Sequence, residues 1–530
     1  MNNHLIKVFN ITGPCNSSDH YLLPVLPRQM EVDSLIEGKY YFVLHAPRQS
    51  GKTTYLKALT EQINKKGDFY ALYCSLESLQ GVNDRKEGID LLYDQLLTSF
   101  DLTSIKKLNN LPNNYKSPRD YAYTSKIRLF FNYICNNSDK DIILFFDEAD
   151  CLSPDPLITF LRQIRLGYNN RSDENSKFPR TIALVGLRDI RDYLVHVRPE
   201  EESTGVASPF NIKQEALTLA NFTQDEIGTL YRQHTEASGQ IFEDSAIERA
   251  WYWSEGQPWL VNALAYRAIV TIFKNDYSKT VTADIVEQAA KEVILSRPTH
   301  LDSVMERLKE PRVRRVIDSV IVGAVKWDTS KMTAEDIQYV QDLGLLKRED
   351  AVYRPANPIY GEIIIRKLTQ PIELGMPVNL RVKWTDGRTL LMTELLKAFQ
   401  RYWEENAEML GKPDNISEAT PHLVCFAFMQ RILNSGVDKL QREYALGKMR
   451  LDICAEYKGV SYPVELKRQD KFTDNEMTKS LNQLRTYMDK CGAKEGWLVI
   501  FDINWDKKFE EKITWKTIEY NNSTIHIVGC

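Results

Sequence analysis

The chain has 530 residues, 43% hydrophobic and 26% charged, an ordinary globular composition that excludes collagen-like, mucin-like and wholly disordered chains. One hydrophobic core does not extend over this length, and three or four domains are expected. Net charge is −4, from 68 Lys and Arg against 72 Asp and Glu, so no global basic field points to a polyanion.

The opening MNNHLIKVFNITGPC lacks the charged-then-apolar pattern of a secretion signal. No apolar run reaches the roughly 18 residues of a membrane span. A cytoplasmic protein without a membrane partner is expected. The eight cysteines form no CxxC pair and have no histidine at zinc-ligand spacing, so they read as reduced, mostly buried thiols.

In chain order, four near-continuous apolar runs alternate with helical patterns: KYYFVLHA (39–46), FYALYCSL (69–76), DIILFFDE (141–148) and TIALVGL (181–187). Such runs predict strands covered by helices on both faces, the mark of a mostly parallel α/β sheet. From about residue 210 to 296 the pattern is helical. Between 297 and 372, helices precede LGLLKREDAVYRPAN, two short strands around a Glu349–Asp350 turn. The rest, to Cys530, starts helical at TLLMTELLKAFQRYWEENAEML and continues strand–turn–strand–helix–strand, a separate α/β domain.

Ala46-Pro47-Arg48-Gln49-Ser50-Gly51-Lys52-Thr53 follows the first strand and opens a helix. This is G-x4-G-K-T with Ala46 in place of the first glycine, a position Ala can fill if its φ is negative. In such a loop, here spanning Pro47 to Thr54, the backbone N–H groups of the residues after Pro47 cradle phosphates, Lys52 supplies charge to the β and γ oxygens, and Thr53 ligates Mg²⁺. The strand 142–146 ends in Asp147-Glu148, two carboxylates at the edge where open α/β sheets place their sites. Asp147 would hold Mg²⁺, and Glu148 would polarise the attacking water as general base. The bland alternative is an acidic cap on the next helix. These residues predict ATP binding and hydrolysis.

An acidic residue directly after the metal-binding Asp resembles the AAA/STAND branch of P-loop ATPases. The resemblance implies a phosphate sensor at Arg188 or Arg191. It also implies that Gly256-Gln257-Pro258 is the G-x-P element of a helical lid, with Pro258 toward the adenine, and that a winged helix follows. Arg162 and Arg165, after the acidic pair, read either as arginine fingers in a homo-oligomer or as a solvated helix face. The candidate recognition helix 333–343 carries Glu335, Asp336 and Asp342 without Lys or Arg, so a structural role is expected in place of major-groove binding.

In the C-terminal segment, Lys458-Gly459 predicts a two-residue hairpin turn. Tyr457 then faces Val460, and counting outward sets Asp452 opposite Glu465, with Cβ atoms about 5 Å apart. Opposed carboxylates destabilise a sheet unless they share a divalent cation, Mg²⁺ or Mn²⁺, and Lys467 on the same face would assist the attacking water or the phosphorane. The alternative for this set is a solvated hairpin with routine surface charges.

Gly447-x-x-Arg450-x-Asp452, Glu465-Leu466-Lys467 and Gln483-x3-Tyr487 resemble a PD-(D/E)XK nuclease core with its QxxxY element. That resemblance implies a further acid on the preceding helix, Glu418 or else Glu394, and gives Gln483 and Tyr487 a role at the metal or the nucleic-acid backbone. The whole chain is similar to a bacterial family that fuses an AAA/STAND-type ATPase, a winged helix and such a nuclease. The fold it implies is multidomain α/β: a P-loop core at 1–210, a helical lid at 211–296, a winged helix at 297–372 and a nuclease-like domain at 373–530. The kinship implies ATP-regulated cleavage of nucleic acid, DNA first, in defence against phage or mobile elements. Residues 381–530 carry 23 Lys and Arg against 22 Asp and Glu, so weak intrinsic affinity for DNA is expected. The alternative is a regulatory ATPase scaffold whose last domain binds a partner and cuts nothing.

Overall fold

The computed structural model describes residues 6–23, 30–115, 122–187, 213–296, 299–322, 333–349, 352–376, 382–406, 420–433, 439–442, 453–469, 474–502 and 507–530. The chain divides into two compact units. One comprises Met1–Ser296 with Asp342–Gly344, the other Arg297–Gln341 with Leu345–Cys530.

The first unit is built on a five-stranded parallel sheet: β1 (Tyr41–His45), β2 (Tyr70–Ser75), β3 (Ile142–Asp147), β4 (Thr181–Gly186) and β5 (Lys213–Thr218), in the order β2-β3-β4-β1-β5. The sheet is buried on both faces because its apolar side chains alternate between two cores. Tyr41, Val43, Leu72, Leu144, Phe146 and Leu184 face the helices Arg85–Asp101, Lys126–Asn137 and Pro154–Asn170. Phe42, Leu44, Ala71, Phe145, Ala183 and Val185 face the helices Met30–Glu37 and Lys52–Lys66. The result is a three-layer α/β/α fold. The four predicted strands are present, and the sheet continues past residue 210. β5, within a stretch expected to be helical, pairs with β1 and forms an edge.

The helices Gln224–Ser238, Asp244–Ser254, Pro258–Tyr266 and Ala283–Ser296 follow in the same unit. The segment before the sheet packs on them. Phe9 lies edge-on to Tyr231 at 5.5 Å, Tyr21 shares a hydrogen bond with His234 Nδ1 at 3.0 Å, and Gln233 pairs with both backbone groups of Leu22.

The second unit opens with helices Thr299–Glu306, Pro311–Val322 and Ala334–Asp342, then the hairpin β6 (Leu346–Glu349) and β7 (Val352–Pro355). Glu349 pairs with Val352, so it belongs to the strand and not to the turn where the sequence reading set it. A mixed six-stranded sheet follows, in the order β12-β13-β11-β10-β9-β8, from β8 (Lys439–Arg442), β9 (Ile453–Tyr457), β10 (Val460–Gln469), β11 (Glu495–Asp502), β12 (Thr514–Tyr520) and β13 (Ser523–Gly529). The helix Asp474–Cys491 joins the parallel neighbours β10 and β11 and buries Leu481, Leu484 and Met488 against Leu498, Ile500 and Ile525. Among the described residues no helix is long and apolar enough to cross a membrane.

Candidate functional site

β1 and β3 are separated by β4 alone, so the loop leaving β1 and the acids ending β3 meet at the same edge of the sheet. The loop's left-handed positions fall on Gln49 (φ +55°) and Gly51 (φ +85°). Ala46 is not among the positive-φ residues, and its N–H is bound to the Gly186 carbonyl at 3.3 Å, so Ala fits where a glycine was expected. Lys52 Nζ donates to the carbonyls of Ala46 (2.7 Å) and Pro47 (2.9 Å), curling the loop around its own ammonium group. Burial lowers the Lys52 pKa, opposed by the carboxylates of Asp150, Asp147 and Glu148. Thr54 Oγ1 accepts the Cys15 amide at 3.0 Å, which occupies that hydroxyl with the preceding segment.

Asp147 is held from three sides. Its Oδ2 accepts Thr53 Oγ1 at 2.6 Å and the Tyr73 hydroxyl at 3.0 Å, and its Oδ1 accepts the Glu148 amide at 3.0 Å. Glu148 has φ +55°, a left-handed backbone that a non-glycine residue adopts only under constraint. Its pKa is raised by burial first, then by the carboxylates of Glu77, Asp147 and Asp150. The Cys151 thiol donates to Glu148 Oε2 at 3.6 Å.

Several of these partners were invisible in sequence. Tyr73 read as one more apolar strand residue, and only the β2–β3 pairing brings its hydroxyl to Asp147. Asp150 Oδ1 accepts the Leu187 amide at 3.3 Å and lies 2.7 Å from where a Cβ on Gly186 would stand, so a larger residue at the end of β4 would push that carboxylate aside. Gln257, the N-cap of the helix Pro258–Tyr266, donates through Nε2 to the Gln49 carbonyl at 3.2 Å. Pro258 opens the adjoining helix and is buried. Arg188 and Arg191 lie outside the described residues. Arg162 is exposed and Arg165 half-buried on the helix Pro154–Asn170.

The residues fit a nucleotide with its cation. Ser50 Oγ is buried without a hydrogen-bond partner among the described residues, and it stands in the loop that would receive phosphate oxygens. Thr53 and Asp147 offer neighbouring hard oxygen donors of the kind Mg²⁺ takes.

In the second unit the hairpin has the expected register, from Tyr457 opposite Val460 to Ile453 opposite Val464. Its turn uses positive φ at both Lys458 (+51°) and Gly459 (+75°). Glu465 is 2% exposed and ion-paired to Lys467, whose Nζ also donates to Gln483 Oε1 at 3.4 Å. Three predicted residues are therefore together. Tyr487, one helical turn on, hydrogen-bonds the Cys454 thiol on β9. Asp452 and Glu418 lie outside the described residues, and among those described no three His, Cys, Asp or Glu side chains form a metal cluster. Glu394 is an exposed residue paired with Lys397 at 3.7 Å. His422, which the sequence reading passed over, reaches the Leu466 carbonyl at 3.3 Å, between Glu465 and Lys467. Burial brings its pKa down to about 4.

The first unit has a three-layer α/β fold on a parallel sheet, and the loop after β1 meets the acids that end β3 at one edge of it.

No family model matches the chain, and no curated protein does. Among solved structures it is similar to a Walker-type ATPase of Pyrococcus abyssi, at 14% identity and TM-score 0.45, covering 67% of this chain and 99% of the other. It is also similar to the Cdc6p structure from Pyrobaculum aerophilum (15%, TM-score 0.37, covering 67% and 97%). A third is the RuvB Holliday junction branch migration motor of Thermotoga maritima (14%, TM-score 0.34, covering 64% and 93%).

Proposed function

We propose that the first unit binds and hydrolyses ATP and that this controls a divalent-metal-dependent nuclease in the second. The observation that carries the ATPase half is the hydrogen bond from Thr53 to Asp147, which joins the phosphate loop to the acidic strand end. In this reading the loop N–H groups and Lys52 bind the phosphate chain. Lys52 exchanges its two carbonyl partners for phosphate oxygens, which are better acceptors for a partly desolvated ammonium group. When bound, Mg²⁺ neutralises charge on the β and γ oxygens, and Thr53 and Asp147 are the residues that would hold it. Glu148 takes a proton from the attacking water, a task its raised pKa suits.

The nuclease half is supported by the buried Glu465, its partner Lys467 and Gln483. With Asp452 and Glu418, which lie outside the described residues, they would make up a metal site acting on DNA. Arg162 and Arg165 suit a homo-oligomer with fingers supplied in trans. A non-cleaving scaffold is the rival, and the near-neutral charge of residues 381–530 favours it.

Phosphate release from ATP by purified protein tests the first half, with Lys52→Ala and Glu148→Gln beside the wild type. Both variants should lose turnover, while Glu148→Gln keeps nucleotide binding. Undiminished hydrolysis in Lys52→Ala would refute the assignment.

A further inference from the structure

Gln257 uses both ends of its side chain. Oε1 accepts the Leu260 amide at 2.6 Å and caps the helix Pro258–Tyr266, while Nε2 donates to the Gln49 carbonyl at 3.2 Å. The residue is only 6% exposed, so both bonds are largely shielded from water.

Its seat is rigid. Gly256 has φ +73°, and a Cβ there would stand 1.8 Å from the Phe222 carbonyl oxygen. The Phe222 amide donates to the Gly256 carbonyl at 2.8 Å, and the Gly256 amide donates to the buried Ser254 hydroxyl at 3.1 Å. The other end of the contact is the strained part of the phosphate loop, since Gln49 is its left-handed non-glycine residue.

All peptide bonds described are trans, so the carbonyl of Gln49 and the N–H of Ser50 point in opposite directions. Drawing the carbonyl toward the lid therefore turns the Ser50 N–H away from it. Ser50 also carries the loop's buried, unpartnered hydroxyl. The lid element and the phosphate loop thus share one peptide unit.

We propose that Gln257 is a positioning residue that fixes the Gln49–Ser50 peptide for the phosphate chain of a nucleoside di- or triphosphate, so that loop occupancy and lid seating are coupled through this one hydrogen bond. The inference rests on the ATP reading. It predicts that phosphate binding strengthens the bond and that the helix Pro258–Tyr266 is protected when nucleotide is bound.

The test uses the full chain and the variants Gln257→Glu, Gln257→Leu and Lys52→Ala. Gln257→Glu keeps an acceptor for the Leu260 amide but has no donor for the Gln49 carbonyl; Gln257→Leu loses both bonds. Equilibrium binding of ATP, ADP and AMP is measured, with amide hydrogen exchange across residues 258–266 with and without ATP. Gln257→Glu should exchange like wild type without nucleotide, bind ATP and ADP about fivefold more weakly, bind AMP unchanged, and lose the ATP-induced protection. A purely capping role predicts that the ATP-induced protection survives in Gln257→Glu and that only Gln257→Leu changes exchange across 258–266, whatever the new carboxylate does to affinity, and that result overturns the proposal. Wild-type protein that binds no ATP, or binds it equally after Lys52→Ala, overturns the ATP reading and this proposal with it.

Discussion

Thr53 Oγ1 donates to Asp147 Oδ2 at 2.6 Å, joining residues 94 positions apart in sequence. The contact exists because β3 ends, and the helix Lys52–Lys66 begins, at one edge of a parallel sheet, and it holds the two oxygens together. Asp147→Asn should therefore lower magnesium-dependent hydrolysis by at least about a hundredfold. Nucleotide affinity measured in EDTA should stay within about threefold of wild type, because the phosphate contacts come from the loop.

Tyr73 holds the same carboxylate oxygen at 3.0 Å. When Thr53 turns to a cation, Tyr73 becomes the main anchor of that oxygen. Tyr73→Phe should raise the Mg²⁺ concentration for half-maximal hydrolysis by about two- to tenfold, the worth of one hydrogen bond. A magnesium titration of turnover, with thermal melting as a control for folding, checks it.

Glu148 must be ionised to accept a proton, and its folded-state pKa is raised. Turnover should fall as pH drops toward that raised pKa. Glu77 contributes to the shift through its negative charge. Glu77→Gln makes the Glu148 anion easier to form, so the acid limb of the pH–rate profile should move to lower pH. A move to higher pH would show that Glu77 acts by another route.

Gly256→Ala sets a Cβ against the Phe222 carbonyl at φ +73°, whereas at Gly239, φ +79°, a Cβ would meet nothing within 4 Å. The first change should cost more than about 2 kcal/mol, and the second about 1 kcal/mol, from backbone strain alone. Thermal melting of the two variants side by side measures the difference.

Lys467 balances a carboxylate that is almost wholly buried. Lys467→Ala should destabilise the second unit by about 3–5 kcal/mol at neutral pH. If Glu465 ligates a cation, Mn²⁺ should raise the melting temperature of that variant more than that of wild type, and Glu465→Gln should abolish the effect.

The parallel sheet was legible wherever burial on both faces demanded an apolar run, which is why β1 to β4 stand within a residue or two of their expected limits. β5, KQEALT, escaped because Lys213, Gln214 and Glu215 break any apolar run, whereas β2 at the opposite edge is apolar. The loop 46–53 and the acids Asp147 and Glu148 were legible as patterns because their spacing is fixed, and the structure brings them to one edge of the sheet. Their supports, Tyr73, Asp150 and Gln257, were not: each acts through a contact between segments distant in sequence. In the second unit the turn residues set the hairpin register, and Gln483 reached Lys467 because helical spacing and the β10–β11 crossover leave it facing that strand.

The central claim, an ATP-controlled nuclease, is tested most directly by cleavage of linear and supercoiled DNA with Mg²⁺ or Mn²⁺. Reactions without nucleotide, with ATP and with a non-hydrolysable analogue are compared for wild type, Lys52→Ala and Lys467→Ala. The account predicts cleavage that depends on nucleotide, disappears in Lys467→Ala and loses its nucleotide response in Lys52→Ala. Cleavage of equal rate in wild type and Lys467→Ala, or none by wild type under any of these conditions, would contradict it.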